Sequence, residues 1–267
     1  MMASSFSDLS GIALMTAGVL LGLIATGPAQ AQPAPKTVSD TVALDPSGTV
    51  EIDTYKGSVT VTTWDRAAVG YEVVIEPPYE GDDMPFTHLD VRHSEAELAL
   101  DADFPWRLQL FGAITISPGG TERAPFHYTV SVPESARLEI DDYASTIQVS
   151  GLRGDLVVDT YSGSLEASAL AGGLALDMYD GPVQVSFSAL TAPVSLDTYS
   201  GPVDLTLPRG AGFDLETDLQ GADQLTVEGP LSLPAPTEGG NYDGPVNGGG
   251  PELSIESLHS TITLRTP

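Results

Sequence analysis

Leu156-Val157-Val158-Asp159-Thr160-Tyr161-Ser162-Gly163-Ser164-Leu165-Glu166-Ala167 is the stretch that decides the reading of this chain. Its centre, Asp159-Thr160-Tyr161-Ser162-Gly163, returns almost unchanged as Asp197-Thr198-Tyr199-Ser200-Gly201. Looser copies are Asp53-Thr54-Tyr55-Lys56-Gly57, Asp141-Asp142-Tyr143 and Asp177-Met178-Tyr179-Asp180-Gly181. From Asp141 onward these copies step by 18, 18 and 20 residues. A period of that length marks a repeat architecture.

The flanks sharpen the unit. Alternating apolar pairs precede each acidic residue: Val50/Ile52, Leu138/Ile140, Leu156/Val158, Leu174/Leu176 and Val194/Leu196. Two further units lack the tyrosine but keep the flank, Phe213/Leu215 before Glu216 and Leu253/Ile255 before Glu256. A second alternating pair follows at a fixed spacing: Val59/Val61, Ile147/Val149, Leu165/Ala167, Val183/Val185, Val203/Leu205 and Ile262/Leu264. Only the Phe213 unit breaks that downstream spacing. Period two within each half means a strand with one buried face. Gly57, Gly163, Gly181 and Gly201 mark the turn between the halves, and Pro182 and Pro202 suit the first position of the next strand.

A unit this short cannot bury its own apolar face, so units must stack. Stacking pairs equivalent strands in parallel, ~4.8 Å apart, and lines up Leu, Ile and Val in inner columns. The expected fold is therefore all-β: a single-domain parallel β-solenoid with rungs of 18–20 residues, right-handed by default. An antiparallel sandwich would explain the alternation. It gives no reason for the recurrent spacing.

Two regions interrupt the repeat. Residues 65–137 form an irregular β excursion, with short strands expected at Val69–Ile75, Leu89–His93, Leu98–Leu100, Ile114–Ile116 and His127–Val132. They read as wider rungs or a side sheet continuous with the stack. Residues 228–252 read as a Gly/Pro-rich loop, Tyr242-Asp243-Gly244-Pro245-Val246 included.

Residues 1–31 read as a secretory signal. Gly11–Ala25 is an apolar run, and Ala29-Gln30-Ala31 has the form of a cleavage site. The run is short for a membrane span, and no later segment could form one. Residues 32–39 then read as a linker and 40–267 as the solenoid domain. The expected location is the periplasm, the cell envelope or the exterior. The absence of cysteine excludes disulfides and a lipidated cysteine. The formal net charge is -27, with 37 Asp and Glu against 10 Lys and Arg. Such a field disfavours nucleic acid and anionic membrane surfaces, and favours cations and basic partners.

The repeat sets out two outward columns. In one, Asp53, Asp141, Asp159, Asp177, Asp197, Glu216 and Glu256 follow the second apolar position. Neighbouring carboxylates ~4.8 Å apart repel by roughly 0.9 kcal/mol in water. Two things could offset this. A cation such as Ca²⁺ could bridge rungs, with Asp159, Asp177 and Asp197 as candidate ligands. Alternatively, each Asp could accept hydrogen bonds from the N–H groups of its own turn. The second column holds Tyr55, Tyr143, Tyr161, Tyr179 and Tyr199. Tyr143, Tyr161, Tyr179 and Tyr199 are candidate ligand-binding residues, since Tyr binds with little loss of side-chain entropy. Rings covering the neighbouring rung for stability alone is the plainer alternative.

Catalysis has little to stand on. Retaining glycosidases hold two carboxyls ~5–5.5 Å apart, but any repeated Asp in a parallel stack matches that. Only Arg153 and Arg209 fall within the regular stack as basic partners. His88, Asp90, Arg92 and His93 crowd one strand, where a solvated face explains them; His127 and His259 look isolated. Nucleophile-elbow and phosphate-loop sequences are absent.

Tyr128-Thr129-Val130-Ser131-Val132-Pro133, Leu138-Glu139-Ile140 and Ile147 through Leu156 resemble a bacterial family labelled "putative adhesin". Gly248-Gly249-Gly250-Pro251 with Leu253-Ser254-Ile255 is similar to that family's last rung. The resemblance spans roughly 40–267, and the chain departs from it at His259-Ser260, where the family has a Gly turn. It implies an exported β-solenoid on or near the envelope and carries over no catalytic residue. The expected function is non-enzymatic binding, adhesion or surface structure, without a cofactor unless Ca²⁺, and with a glycan or envelope protein as partner. The alternative is a polysaccharide-active hydrolase or lyase on a β-helix scaffold.

Overall fold

The computed structural model describes residues 34–77, 87–104, 108–110, 114–116 and 123–267. The signal segment expected at 1–31 lies outside them. The described part is all-β, built on one large, mostly parallel sheet, with a 3₁₀ turn at Ala222–Gln224.

Strands β1 (Lys36–Ala43), β2 (Thr49–Asp53), β3 (Lys56–Trp64) and β4 (Ala68–Ile75) open the domain. The excursion supplies β5 (His88–His93), β6 (Glu97–Asp103), β7 (Leu108–Leu110), β8 (Ile114–Ile116) and β9 (Phe126–Pro133). The regular part holds β10 (Arg137–Ser150), β11 (Leu156–Leu170), β12 (Leu174–Asp180), β13 (Val183–Phe187), β14 (Val194–Ser200) and β15 (Pro202–Thr206). The chain closes with β16 (Phe213–Leu219), β17 (Leu225–Glu228), β18 (Asp243–Val246), β19 (Glu252–Ser257) and β20 (Thr261–Arg265).

The repeat period is visible as register. Leu138 pairs with Leu156, Leu156 with Leu174, and Leu174 with Val194, all in parallel. The second halves follow suit: Val59 to Ile147, Ile147 to Leu165, Leu165 to Val183, Val183 to Val203. Within β10 and β11 the two halves form one continuous strand across the expected turn. Every residue in these apolar columns is buried. Each fully buried aliphatic side chain contributes about 1.5–3 kcal/mol, in addition to the backbone ladders that join the rungs.

The excursion extends the stack. β6 pairs with β2 in parallel, placing Leu98 beside Val50 and Leu100 beside Ile52. β9 pairs with β3, placing Tyr128 beside Val59. Antiparallel strands then cover this end: β5 lies on β6, β4 on β9, and β1 on β4. β7 and β8 form a separate two-stranded sheet.

The structure departs from expectation at several places. β1 starts at Lys36, inside the segment read as linker; its apolar positions, Val38 and Val42, are only half-buried, so its strand signal is weak. Asp243–Val246, read as loop, is a strand antiparallel to β16, closing the other end of the stack. Its partner rather than its own pattern makes it a strand. The order of the last rungs also inverts. β14 and β15 pair not with β16 and β17 but with β19 and β20, and β16 and β17 lie outside those.

That inversion carries a shift of register. Leu215 lies beside Leu253, Thr217 beside Ile255, and Asp218 beside Glu256. Asp218 therefore takes the acidic position, and Glu216 does not. β16 alternates buried and exposed along its whole length, so a two-residue slip keeps every inward side chain inward. Pattern alone could not choose between the two registers.

Candidate functional site

Parallel pairing without stagger brings the acidic residues into one line. Asp101 lies beside Asp53, Asp53 beside Asp141, and Asp159, Asp177 and Asp197 continue the row to Glu256 and Asp218. Asp101 is half-buried and the others are exposed. Asp101 escapes a reading by sequence because its rung has no tyrosine and its second half lies far downstream, in β9. Leu98-Ala99-Leu100-Asp101 nonetheless carries the same apolar-x-apolar-acid signature.

The row's electrostatics show what alignment costs. Partial burial, then the Asp141 and Asp101 carboxylates, push Asp53 above the ordinary 3.8, against the pull of Arg123. Burial, then Asp177 and Asp141, raise Asp159; burial, then Asp177, raise Asp197. Two residues before the row, burial followed by Glu97 and Glu139 raises Glu51. The capping of turn N–H groups expected of this row is carried by other carboxylates. Asp142 caps instead, and Asp155 accepts a hydrogen bond from the Gly173 N–H at 2.9 Å. Among the described residues, no group of three or more His, Asp or Glu is gathered to hold a metal ion.

Stability should therefore rise on mild acidification. The folded chain binds protons more tightly than the unfolded one wherever a carboxyl titrates above its ordinary value. Stability then falls as pH rises through the interval above 3.8. Asp45, lowered by its hydrogen bonds to Ser47, acts oppositely, below its ordinary value. Thermal melts are expected to show a higher midpoint near pH 4 than at pH 7. Asp177→Asn, which relieves both neighbours, should gain about 1 kcal/mol at pH 7. Millimolar calcium should leave the curve in place. A calcium-dependent rise abolished by Asp177→Asn would establish a bridging ion instead.

Two residues along, the tyrosines form a ladder. Successive ring centroids are 4.6 Å apart for Tyr55–Tyr143, 5.0 Å for Tyr143–Tyr161, 4.8 Å for Tyr161–Tyr179 and 4.5 Å for Tyr179–Tyr199. Ring planes differ by only 2° to 9°. The Arg123 guanidinium sits 4.0 Å from the Tyr55 ring centroid at one end, and the His259 ring meets Tyr199 edge-on at 5.2 Å at the other. Tyr143, Tyr161, Tyr179 and Tyr199 remain 37% to 48% exposed. Their faces are spent on one another, so solvent meets ring edges and hydroxyls. The Tyr199 hydroxyl, followed by partial desolvation and Tyr161, holds the Tyr179 phenol above 10.0. The result is a straight row of phenol groups beside a straight row of carboxylates.

Between the two rows runs an inward column, with Thr54, Asp142, Thr160, Met178, Thr198 and Ser257 all buried. Asp142 accepts hydrogen bonds from the Ser145 N–H at 2.6 Å, the Ser145 hydroxyl at 2.6 Å and the Thr160 hydroxyl at 3.0 Å. Burial raises its pKa, while those bonds oppose the rise. Ser145 occupies the position that Gly57 and Gly163 hold in neighbouring rungs. Asp142 thus holds the Ser145 backbone and hydroxyl at the position where neighbouring rungs carry glycine.

The excursion cluster divides among separate partners. His88 lies 3.3 Å from Asp103, Arg92 2.6 Å from Asp101, and His93 Nε2 2.6 Å from the Ala43 carbonyl. His127, read as isolated, has company: its Nδ1 lies 2.9 Å from the Ser58 hydroxyl, and its Nε2 3.5 Å from Glu76. The contact follows from the parallel pairing of Ser58 with His127.

No known protein family matches the sequence, and no curated protein does. Solved structures do resemble the fold. A "putative cell adhesion protein" from Clostridium sporogenes aligns over 88% of this chain and 100% of its own, with a TM-score of 0.52 at 10% identity. A "putative adhesin" from Bacteroides fragilis covers 89% and 100%, with a TM-score of 0.25 at 12% identity. A third, from Parabacteroides merdae, covers 87% and 96%, with a TM-score of 0.23 at 9% identity. The first likeness supports the fold; the other two carry no weight for it.

Proposed function

We propose that this chain is an exported β-solenoid of the cell envelope or exterior, each rung one turn of the coil, which binds without catalysis. Its binding face is the phenol row of Tyr143, Tyr161, Tyr179 and Tyr199, together with the carboxylate row beside it. The observation that carries this reading is the ladder's geometry. Four rings repeat at 4.5 to 5.0 Å in one line, with edges and hydroxyls outward and acceptors alongside.

Such a face offers hydrogen bonds at a fixed interval along one direction. It suits an extended, hydroxyl-rich polymer lying along the column. The stacked rings leave no ring face on which a sugar could lie flat, so recognition runs through polar edges. The acidic field turns away anionic polymers, which makes a neutral envelope glycan the favoured ligand. The similar Clostridium structure's description as a "putative cell adhesion protein" is consistent with this reading. Among the described residues, no helix is long and apolar enough to cross a membrane.

The test replaces Tyr161, Tyr179 and Tyr199 together by Ser. Retention on immobilised neutral polysaccharides should fall at least tenfold, while the circular-dichroism spectrum and cooperative melting persist. Equal retention of the two proteins would remove the phenol row from binding. The same polysaccharides, incubated with wild-type protein, distinguish the hydrolase or lyase alternative: new reducing or unsaturated ends would replace the binding reading with an enzymatic one.

A further inference from the structure

The last rung of the sequence is not the last rung of the stack. β19 and β20 lie in a slot whose walls were made earlier in the chain. One wall is β14 and β15, the other β16 and β17. Both walls present strand edges, and the occupant satisfies both. Without it, backbone N–H and C=O groups would be unpaired on two facing edges, and Val194, Leu196, Val203 and Leu205 would lose one neighbour each.

The occupant is keyed to both walls by side chains. Arg265 Nη2 lies 3.1 Å from Asp204 on β15, and its Nε lies 2.7 Å from Glu228 on β17. In a chain with 10 Lys and Arg against 37 acids, one guanidinium spanning both walls is a specific lock. The Ser260 hydroxyl bonds that of Thr198 at 3.0 Å, and the Gln224 amide reaches the Leu258 and Ser260 carbonyls. The His259 ring closes the end of the tyrosine ladder.

The occupant travels with β18, which pairs with β16 and buries Val246, so residues 229–242 join both to the stack. This tether is exposed from Ala235 to Gly239 and has Gly229 and Gly240 at positive φ. Fully extended, it would reach on the order of 45 Å. Nothing in the pairing requires that the rung come from the same chain. A second copy carries the same segment on the same tether, and every edge and side-chain contact would be identical. Only effective concentration favours the rung's own chain.

We propose that residues 243–267, β18 included, form a detachable unit, and that the slot between β14–β15 and β16–β17, with the outer edge of β16, takes the same segment of a second copy. Exchange of this unit links copies through the C-terminal end of the stack. This goes beyond the binding reading and does not depend on the tyrosine face.

The test uses the full chain, folded first, with a protease recognition sequence placed between Glu238 and Gly239. After cutting, the C-terminal fragment should stay bound. An excess of fluorescent peptide spanning 239–267 should then displace it, as read by native mass spectrometry. The same peptide with Arg265→Ala should enter at least tenfold less well. Uncut copies with two different tags, concentrated together, should co-purify as mixed dimers. Failure of the wild-type peptide to enter, its equal entry with and without Arg265, or loss of the fragment without rebinding would each overturn the proposal, as would the absence of mixed dimers.

Discussion

Gly163→Val should destabilise the domain by about 4 kcal/mol or more, lowering the melting midpoint by about 10 °C or more. Gly163 has φ +119°, where L side chains are strained, and a Cβ there would lie 2.0 Å from the Ser145 carbonyl oxygen. That oxygen belongs to the neighbouring rung's backbone, which cannot swing aside without leaving the parallel ladder. The same collision recurs up the stack, since a Cβ on Gly181 would meet the Gly163 carbonyl at 2.2 Å. The glycine file exists because backbones pack on backbones at this corner. Gly210 provides the control. It too has positive φ, +73°, yet a Cβ added there would meet nothing within 4 Å. Gly210→Ala should cost only the conformational strain, about 1 kcal/mol. If both substitutions shift the midpoint equally in thermal melts, close approach between rungs is not what the file serves.

Asp142→Ala should lower stability by about 2–4 kcal/mol, while Asp141→Ala, one residue away, should leave it unchanged or raise it. Asp142 points inward, and its removal leaves the Ser145 N–H and the Ser145 hydroxyl short of an acceptor in a buried place, while the Thr160 hydroxyl keeps the Ser162 carbonyl. Asp141 points outward into the carboxylate row, where Asp53 and Asp159 both feel its charge unfavourably. Asp142→Asn separates acceptor from charge. The amide keeps one acceptor oxygen, so its loss should fall between that of Asp142→Ala and wild type. Urea titrations of the three variants would order them. A destabilised Asp141→Ala beside a neutral Asp142→Ala would mean that the faces are reversed.

The two rows of the proposed site are legible in the sequence because they follow from period and alternation. Asp159, Asp177 and Asp197 fall side by side, as do the rings of Tyr161, Tyr179 and Tyr199. The orientation of the rings is not legible. Whether phenol rings lie flat on the sheet or stand against one another depends on rotamers, and those are set by the spacing of adjacent rungs. Standing rings change the chemistry on offer from apolar faces to polar edges. By pattern Asp142 is an imperfect copy of the motif, whereas the fold uses it to hold Ser145 at the position where neighbouring rungs carry glycine. Ser58, His127 and Glu76 come from distant parts of the chain, and no spacing could have joined them.

By itself, the sequence determined that residues about nineteen apart stack in parallel with like side chains in files, because a unit with one apolar face and no core of its own can bury it only against its copies. It also determined which residues face outward, because alternation along a strand leaves two choices and burial selects one. Only the tertiary structure decided that the final rung lies inside the penultimate one and that Asp218 rather than Glu216 completes the acidic row. Equivalent rungs offer nearly equivalent edges, and a strand alternating along its whole length fits two registers. The choice fell to contacts between distant residues, Arg265 with Asp204 and Glu228 among them.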